Sequence, residues 1–348
     1  LWRIRNRKRE QLINFVRKRF KAQLVRRGAS FPEIQKAEKV FDPRALTIGL
    51  ARRFSSYKRG NLIFADPERL NKILNNDRKP VQLIVSGKAH PLDTPGKEII
   101  KKIISHANED RFRDKIIFLE DYDISLAKVL VQGCDVWLNN PRRPLEASGT
   151  SGMKAAINGG LHLSVLDGWW AEAYNGTNGF KIGNADEIEN AELQDKYDAD
   201  MLYNTLEREV IPLFYSLNEI GLPAEWLMRM KSSIQTAGEF FSSQRMLMNY
   251  TDQFYVAAIE AGAKLSSDNF GPTRRLAAWL EQMSRHWDTI AIKKVDIPVA
   301  ESELFVGQIL PISVDVYLGE ISPEDVRIEL ISGRLNTQEQ IINFQPVI

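Results

Sequence analysis

The chain has 348 residues, enough for two or three domains with real cores. Hydrophobic residues make up 43% and charged residues 26%, and the formal net charge is +2. That balance describes an ordinary soluble globular protein with no charge excess to draw nucleic acid or a membrane surface. A single cysteine, Cys134, excludes an intramolecular disulfide and fits a reducing, cytoplasmic compartment. No signal peptide and no bilayer-length apolar run is visible.

Residues 1–27 hold eleven Lys/Arg and one acid, Glu10. Leu12, Phe15, Val16, Phe20 and Leu24 recur at helical spacing, and Gly28 suits a C-cap. An amphipathic helix with a solvated basic face is expected, in preference to an anion-binding arm. From residue 45 to about 167 the pattern alternates. Apolar strands at 46–50, 81–85, 115–119, 135–138 and 161–166 are separated by helical stretches at 61–74, 96–106, 125–131 and 152–158. Such a succession makes βαβ units and a Rossmann-like parallel sheet covered on both faces. Ligands of such sheets bind at the carboxyl ends of the strands. Residues 192–265 read as long helices broken near Gly221-Leu-Pro223, and Trp279 and Trp287 are placed in a further helix. Beyond residue 290 the texture turns to alternation, at Val295, Ile297 and Val299, then 310–317 and 326–331. This predicts an α/β catalytic domain over 1–290 and an antiparallel, sandwich-like β-domain over 291–348. Leu1 opens the chain in place of Met, and residues 344–348 end in strand-like sequence, so both ends are expected to continue.

The chemistry clusters after the strands. Following the first is Ala51-Arg-Arg-Phe-Ser-Ser-Tyr-Lys-Arg-Gly60, where Arg52, Arg53, Lys58 and Arg59 could hold one or two phosphates. Following the second, His90 is a general-acid candidate or simply a hydrogen-bonded loop residue. Following the third, Tyr122 could stack on a ring or merely pack. Following the fourth, Pro141 and Pro144 stiffen the approach to Glu146. Small and hydroxyl residues, Ser148-Gly-Thr-Ser-Gly152, then run into a helix, which is how a chain builds an anion site from backbone N–H groups. Lys154 lies one turn inside that helix. Cradle, carboxylate and amine suggest a phosphorylated, carbonyl-bearing ligand. Following the fifth strand, Trp169 and Trp170 could line a carbohydrate face or pack in the core. The four histidines, His90, His106, His162 and His286, lack zinc spacing, so no metal is expected.

These motifs resemble the C-terminal half of the α-glucan (glycogen, starch or maltodextrin) phosphorylases. Glu146-Ala-Ser-Gly-Thr-Ser-Gly-Met-Lys154 is similar to the family's cofactor-lysine motif, and Arg53-Phe-Ser-Ser-Tyr-Lys58 to its phosphate-binding segment. Phe118-Leu-Glu-Asp-Tyr122 and Leu166-Asp-Gly168 also fit. The likeness covers most of residues 1–290, and Trp169-Trp170 with the β-domain resembles the shorter bacterial and archaeal branch. It implies the second half of a two-domain GT-B-type glycosyltransferase. It also implies pyridoxal 5′-phosphate bound to Lys154 as an imine, and cleavage of α-1,4-glucan by inorganic phosphate to α-glucose 1-phosphate with retention. The cofactor phosphate would serve as acid/base partner of the substrate phosphate. By match, Arg53 and Lys58 bind substrate phosphate, and Arg52, Thr150 and the Gly149 backbone bind cofactor phosphate. Glu146, Ser148 and Gly149 hold the transferred glucose, and Tyr122 sits by the cofactor. Arg52 departs from the Lys of many relatives. Relatives of this kind are often homodimers.

Two other readings compete. A nucleotide-sugar glucosyltransferase shares the architecture but commonly carries a second Glu eight residues after the first, where this chain has Lys154. A non-catalytic glucan-binding fragment is the other, because the family's cleft lies between two domains. A chain lacking the first domain is expected to be inactive or nearly so by itself.

Overall fold

The computed structural model describes residues 1–185, 188–297, 309, 311–335 and 341–347. They fall into two compact units, Leu1–Leu247 and Met248–Ile348.

The first unit is built on six parallel strands. They are β1 (Leu46–Arg53), β2 (Val81–Lys88), β3 (Ile116–Leu119), β4 (Val136–Asn139), β5 (Leu161–Val165) and β6 (Gly179–Ile182), in spatial order β3-β2-β1-β4-β5-β6. The order reverses between β1 and β4, so the turns leaving these two strands flank the crevice where ligands of doubly wound sheets bind. β6 is not among the expected strands, because its four residues come after a turn-rich loop and carry no periodicity. β1 runs three residues further than expected, which carries Arg52 and Arg53 into the strand. Period-two alternation then buries Arg52 and exposes Arg53.

Helices α1 (Trp2–Arg26) and α2 (Phe31–Ala37) precede β1, and α3 (Pro67–Leu74), α4 (Thr94–Ala107), α5 (Ile124–Gly133), α6 (Thr150–Ile157) and α7 (Trp169–Ala173) interleave with the strands. They are followed by α8 (Ala191–Thr205), α9 (Ile211–Tyr215) and α10 (Ala224–Phe240). Starts are set by side-chain caps: Asp66, Asp93 and Asp123 accept the N–H groups of Arg69, Gly96 and Leu126. The Asp66-Pro67 start is why the helix expected from residue 61 begins at Pro67 instead. One face of the sheet (Ile48, Leu50, Leu83, Val85, Leu138, Leu163) packs on α3, α4, α8 and α10. The other (Ala51, Ile84, Ile117, Trp137) packs on Leu12, Ile13 and Val16 of α1, Leu126 and Leu130 of α5, and Ala155 of α6.

The basic face of α1 is not simply solvated. Arg5 and Arg9 are buried against Asp135, with Arg9 Nη1 at 2.7 Å from a carboxylate that also accepts the Thr47 N–H. Arg26 and Arg27 pair with Glu120 in the turn after β3. These cations are spent on the fold.

The second unit comes after α11 (Ser243–Tyr250), which spans the division. It contains α12 (Val256–His286), interrupted at residues 267–270, and two antiparallel pairs. β7 (Ala291–Asp296) pairs with β8 (Ser313–Tyr317), and β9 (Leu330–Leu335) with β10 (Ile341–Val347). The unit begins before the change of texture near residue 290 because the end of α12 is tied to the segment between β8 and β9. Trp279 Nε1 donates to Asp325 at 2.8 Å, and Met283 and Ile321 are both buried. Trp287 lies just past α12 in a 3₁₀ turn. Val299 and Leu310 of the expected alternation lie outside the described residues. Among the described residues no helix is long and apolar enough to cross a membrane.

Candidate active site

Two turns meet at the switch point. The first leaves β1 through Phe54 and the 3₁₀ turn Ser56–Lys58; the second leaves β4 through Asn140 to Glu146. They are joined by the Arg142 N–H, which donates to the Tyr57 carbonyl at 2.7 Å. Across them Lys58 Nζ stands 2.7 Å from Glu146 Oε2, with the two side chains 17% and 10% exposed. Glu146 is held from behind. Its N–H donates to Asp167 Oδ2 at 2.9 Å, and Asp167 Oδ1 accepts the Gly168 N–H. Gly168 has φ +54°, and a Cβ there would stand 2.5 Å from the Ser148 carbonyl oxygen, so only glycine lets the turn after β5 close on the 146–148 segment.

Arg52 is buried beside this pair. Its guanidinium donates to the Lys58 carbonyl and to Asn139 Oδ1, and Asn139 Nδ2 donates onward to Ser164 at 3.0 Å. Among the described residues Arg52 Nε has no partner and no carboxylate lies within ion-pair distance of the guanidinium. Burial therefore pushes its pKa down to about 10, with nearby Glu146 pulling the other way. Arg53 is exposed and makes no ion pair among the described residues. Arg59 is not available to a ligand, contrary to its expected place among the phosphate cations. Its guanidinium is spent on Asp195 and Asp198 of α8.

The small-residue segment does open a helix. Gly149 is its N-cap in the left-handed region (φ +82°), and α6 starts at Thr150. Ser151 Oγ accepts from Trp137 Nε1 at 3.2 Å. Gly152 brings α6 against β5: a Cβ would lie 2.5 Å from His162 Cε1 and 2.7 Å from Trp169 Nε1. Lys154 is exposed, and its Nζ lies 3.5 Å from the Thr150 hydroxyl. Among the described residues no contact joins Lys154 to Arg52, Arg53 or Lys58. Ser148 is half-buried, and its carbonyl accepts the Trp169 N–H. Tyr122 packs on the cluster containing Ala155 of α6, and burial raises its phenol pKa. His90 is the loop residue: it is exposed, and its Nδ1 accepts the Leu92 N–H. Trp169 and Trp170, 3% and 1% exposed, are core, in tilted and edge-on contact with His162, and unavailable as a carbohydrate face. The His162 ring is fully buried, and burial, with Arg52 nearby, pushes its pKa down to about 3.

Comparison with known proteins fits this geometry. The family model described as carbohydrate phosphorylase matches residues 5–216. The chain belongs to the carbohydrate phosphorylase family. A second model, the glycogen phosphorylase C-terminal domain, matches residues 287–347. The chain is 39% identical over 343 residues to a glycogen phosphorylase of Mycobacterium bovis, covering 99% of this chain and 40% of that protein. It is 42% identical over 335 residues to a maltodextrin phosphorylase of Thermococcus litoralis (96% and 38%). It is 49% identical over 256 residues to a glycogen phosphorylase of Aquifex aeolicus (73% and 36%). The chain thus spans about two fifths of the length of these phosphorylases.

Asp167 lies in the Leu166-Asp-Gly168 match, whereas Asn139, Asp195 and Asp198 hold the site's residues but do not stand out in the sequence. Asn139 stands at a strand end beside the phosphorylase motifs, which is a local signal. Asp195 and Asp198 have none, since they lie on a helix more than a hundred residues from Arg59.

Proposed function

We propose that the protein to which this chain belongs is an α-1,4-glucan phosphorylase, releasing α-glucose 1-phosphate with inorganic phosphate and retaining the anomeric configuration. The observation that carries this reading is Arg52. A guanidinium taken out of water with no carboxylate against it, and with one N–H unpartnered, has the character of half an anion site.

The same residues fit pyridoxal 5′-phosphate. The N-terminal N–H groups of α6, opened by Gly149, together with Thr150 and Arg52, would hold its phosphate, and Lys154 its aldehyde. Bound there, the cofactor supplies a phosphate as acid/base partner to the substrate phosphate. The chain's own contribution is charge and position. The exposed Arg53 and the Lys58 ammonium would bind substrate phosphate, and Glu146 and Ser148 would hold the glucose hydroxyls. Two adjacent phosphates repel unless cations and a helix N-terminus surround them, which Arg52, Arg53, Lys58 and α6 supply. The relatives named glycogen and maltodextrin phosphorylase support the glucan substrate. The buried, free Cys134 supports a cytoplasmic setting.

The test is a visible-region spectrum of the chain supplied with pyridoxal 5′-phosphate. An absorption band that hydroxylamine abolishes, and that Lys154→Ala lacks, supports the phosphorylase. Tight nucleotide-sugar binding without such a band points to the glucosyltransferase instead.

A further inference from the structure

Arg59 comes directly after Lys58, and its backbone lies in the left-handed region at φ +46°. A non-glycine residue stays there only where its surroundings over-determine it. Here they do. Nε donates to the Asn140 carbonyl at 3.0 Å and Nη2 to the Pro141 carbonyl at 2.6 Å. Nη1 meets Asp195 Oδ1 at 2.9 Å, and Nη2 meets Asp198 Oδ2 at 2.8 Å. In return Asn140 Nδ2 donates to the Arg59 carbonyl at 2.8 Å. Arg142 Nη2 takes the other oxygen of Asp195 at 2.7 Å, and Gln194 Nε2 donates to Asp198 Oδ1 at 3.0 Å.

This network has a direction. Its cation sits one residue from Lys58, its carbonyl acceptors lie a few residues before Glu146, and its carboxylates stand on α8, which belongs to neither turn. The guanidinium is 3% exposed and faces two carboxylates, so it has no charge to lend a ligand. What it can do is fix one turn against the other. We propose that Arg59, with Asp195 and Asp198, is a positioning residue of the phosphate site: it locks the turn after β1 to the turn after β4 and so sets the Lys58 ammonium against Glu146. The phosphate half of this statement rests on the phosphorylase reading; the setting of Lys58 does not. A lysine cannot replace Arg59, because a point charge lacks the planar fork that meets two carbonyls and two carboxylates at once.

The experiment compares the whole chain with its Arg59→Lys and Asp198→Asn variants, each checked for folding by circular dichroism. Trace labelling with acetic anhydride, read by peptide mass spectrometry, gives the reactivity of Lys58 relative to Lys154 in the same molecule. A paired ammonium is a poor nucleophile. Loosening the pair is expected to raise Lys58 labelling about tenfold, the equivalent of one charged hydrogen bond, with Lys154 unchanged. A merely structural role for Arg59 would not move this ratio. Equal ratios in the wild type and either folded variant overturn the proposal and leave the phosphorylase reading standing. Calorimetric titration with inorganic phosphate then separates the two: wild-type binding weakened about tenfold in the variants supports the phosphate role. A raised ratio with no phosphate binding to the wild type overturns the phosphate half of the proposal, while supporting the setting of Lys58.

Discussion

Lys58 and Glu146 hold each other in an ion pair at 2.7 Å across the crevice between β1 and β4. Without ligands each charge is satisfied by the other. On the proposed reading, a phosphate arriving beside Arg53 would compete with Glu146 for the ammonium, and the released carboxylate would accept sugar hydroxyls. Glu146→Gln keeps the shape and removes the charge. In the full-length enzyme it is expected to lower kcat/KM by roughly 2–4 kcal/mol, about 30- to 1000-fold, while phosphate binds at least as tightly as before. Steady-state kinetics with phosphate and glucan varied separately check both arms. Unchanged kcat/KM would remove Glu146 from the site.

Arg52 is buried at a cost, because among the described residues no carboxylate answers it at contact distance. On the proposed reading its charge serves a ligand more than the fold. Arg52→Met is therefore expected to leave the ligand-free chain as stable as the wild type or more so, by about 1–3 kcal/mol, while abolishing retention of pyridoxal 5′-phosphate. Urea unfolding and the absorption spectrum, run on the same preparation, decide it. A large loss of stability would mean that Arg52 serves the fold instead.

Much of this arrangement is legible in the sequence. The strands β1 to β5 are apolar runs alternating with helical stretches, so periodicity gives the sheet class and the helix order, while the exact starts are set by caps such as Asp66 that periodicity does not show. The segment from Glu146 to Lys154 shows itself through its small residues. The hidden part depends on residues distant in sequence. Arg59 looks like a fourth phosphate cation because nothing near it signals Asp195 or Asp198. Trp169 and Trp170 come after Asp167-Gly168 like an exposed aromatic turn, yet Gly152 opens a slot that draws Trp169 inward beside His162. The cations of α1 read as a solvated face because Asp135, which takes Arg9, lies 126 residues away.

Asp135 carries a different load. It is fully buried, bound by Arg9 at 2.7 Å and by Arg5 at 3.5 Å, and accepts the Thr47 N–H at 3.0 Å. It thereby fastens α1 to the start of β1. Asp135→Ala leaves two buried guanidinium groups without their carboxylate and is expected to destabilise the first unit by about 3–5 kcal/mol. Chemical denaturation followed by tryptophan fluorescence measures this, and a change under about 1 kcal/mol would show that α1 is held by its apolar face alone.

His162 makes the fold sensitive to acid. Buried against Trp169 and Trp170 and close to Arg52, its imidazole is neutral in the folded chain down to a pKa of about 3, against an ordinary value of 6.5. Below pH 6.5 the unfolded chain takes up a proton that the folded chain refuses, so stability is intact above that value and is lost progressively as the pH falls towards 3. Between pH 7 and pH 5 the loss amounts to about 2 kcal/mol from this residue alone. His162→Gln retains polarity without a titrating group and is expected to flatten that part of the profile. Denaturant midpoints of wild type and variant at pH 5, 6 and 7 give the comparison. Parallel profiles would mean that the imidazole takes up its proton without leaving its place behind α6.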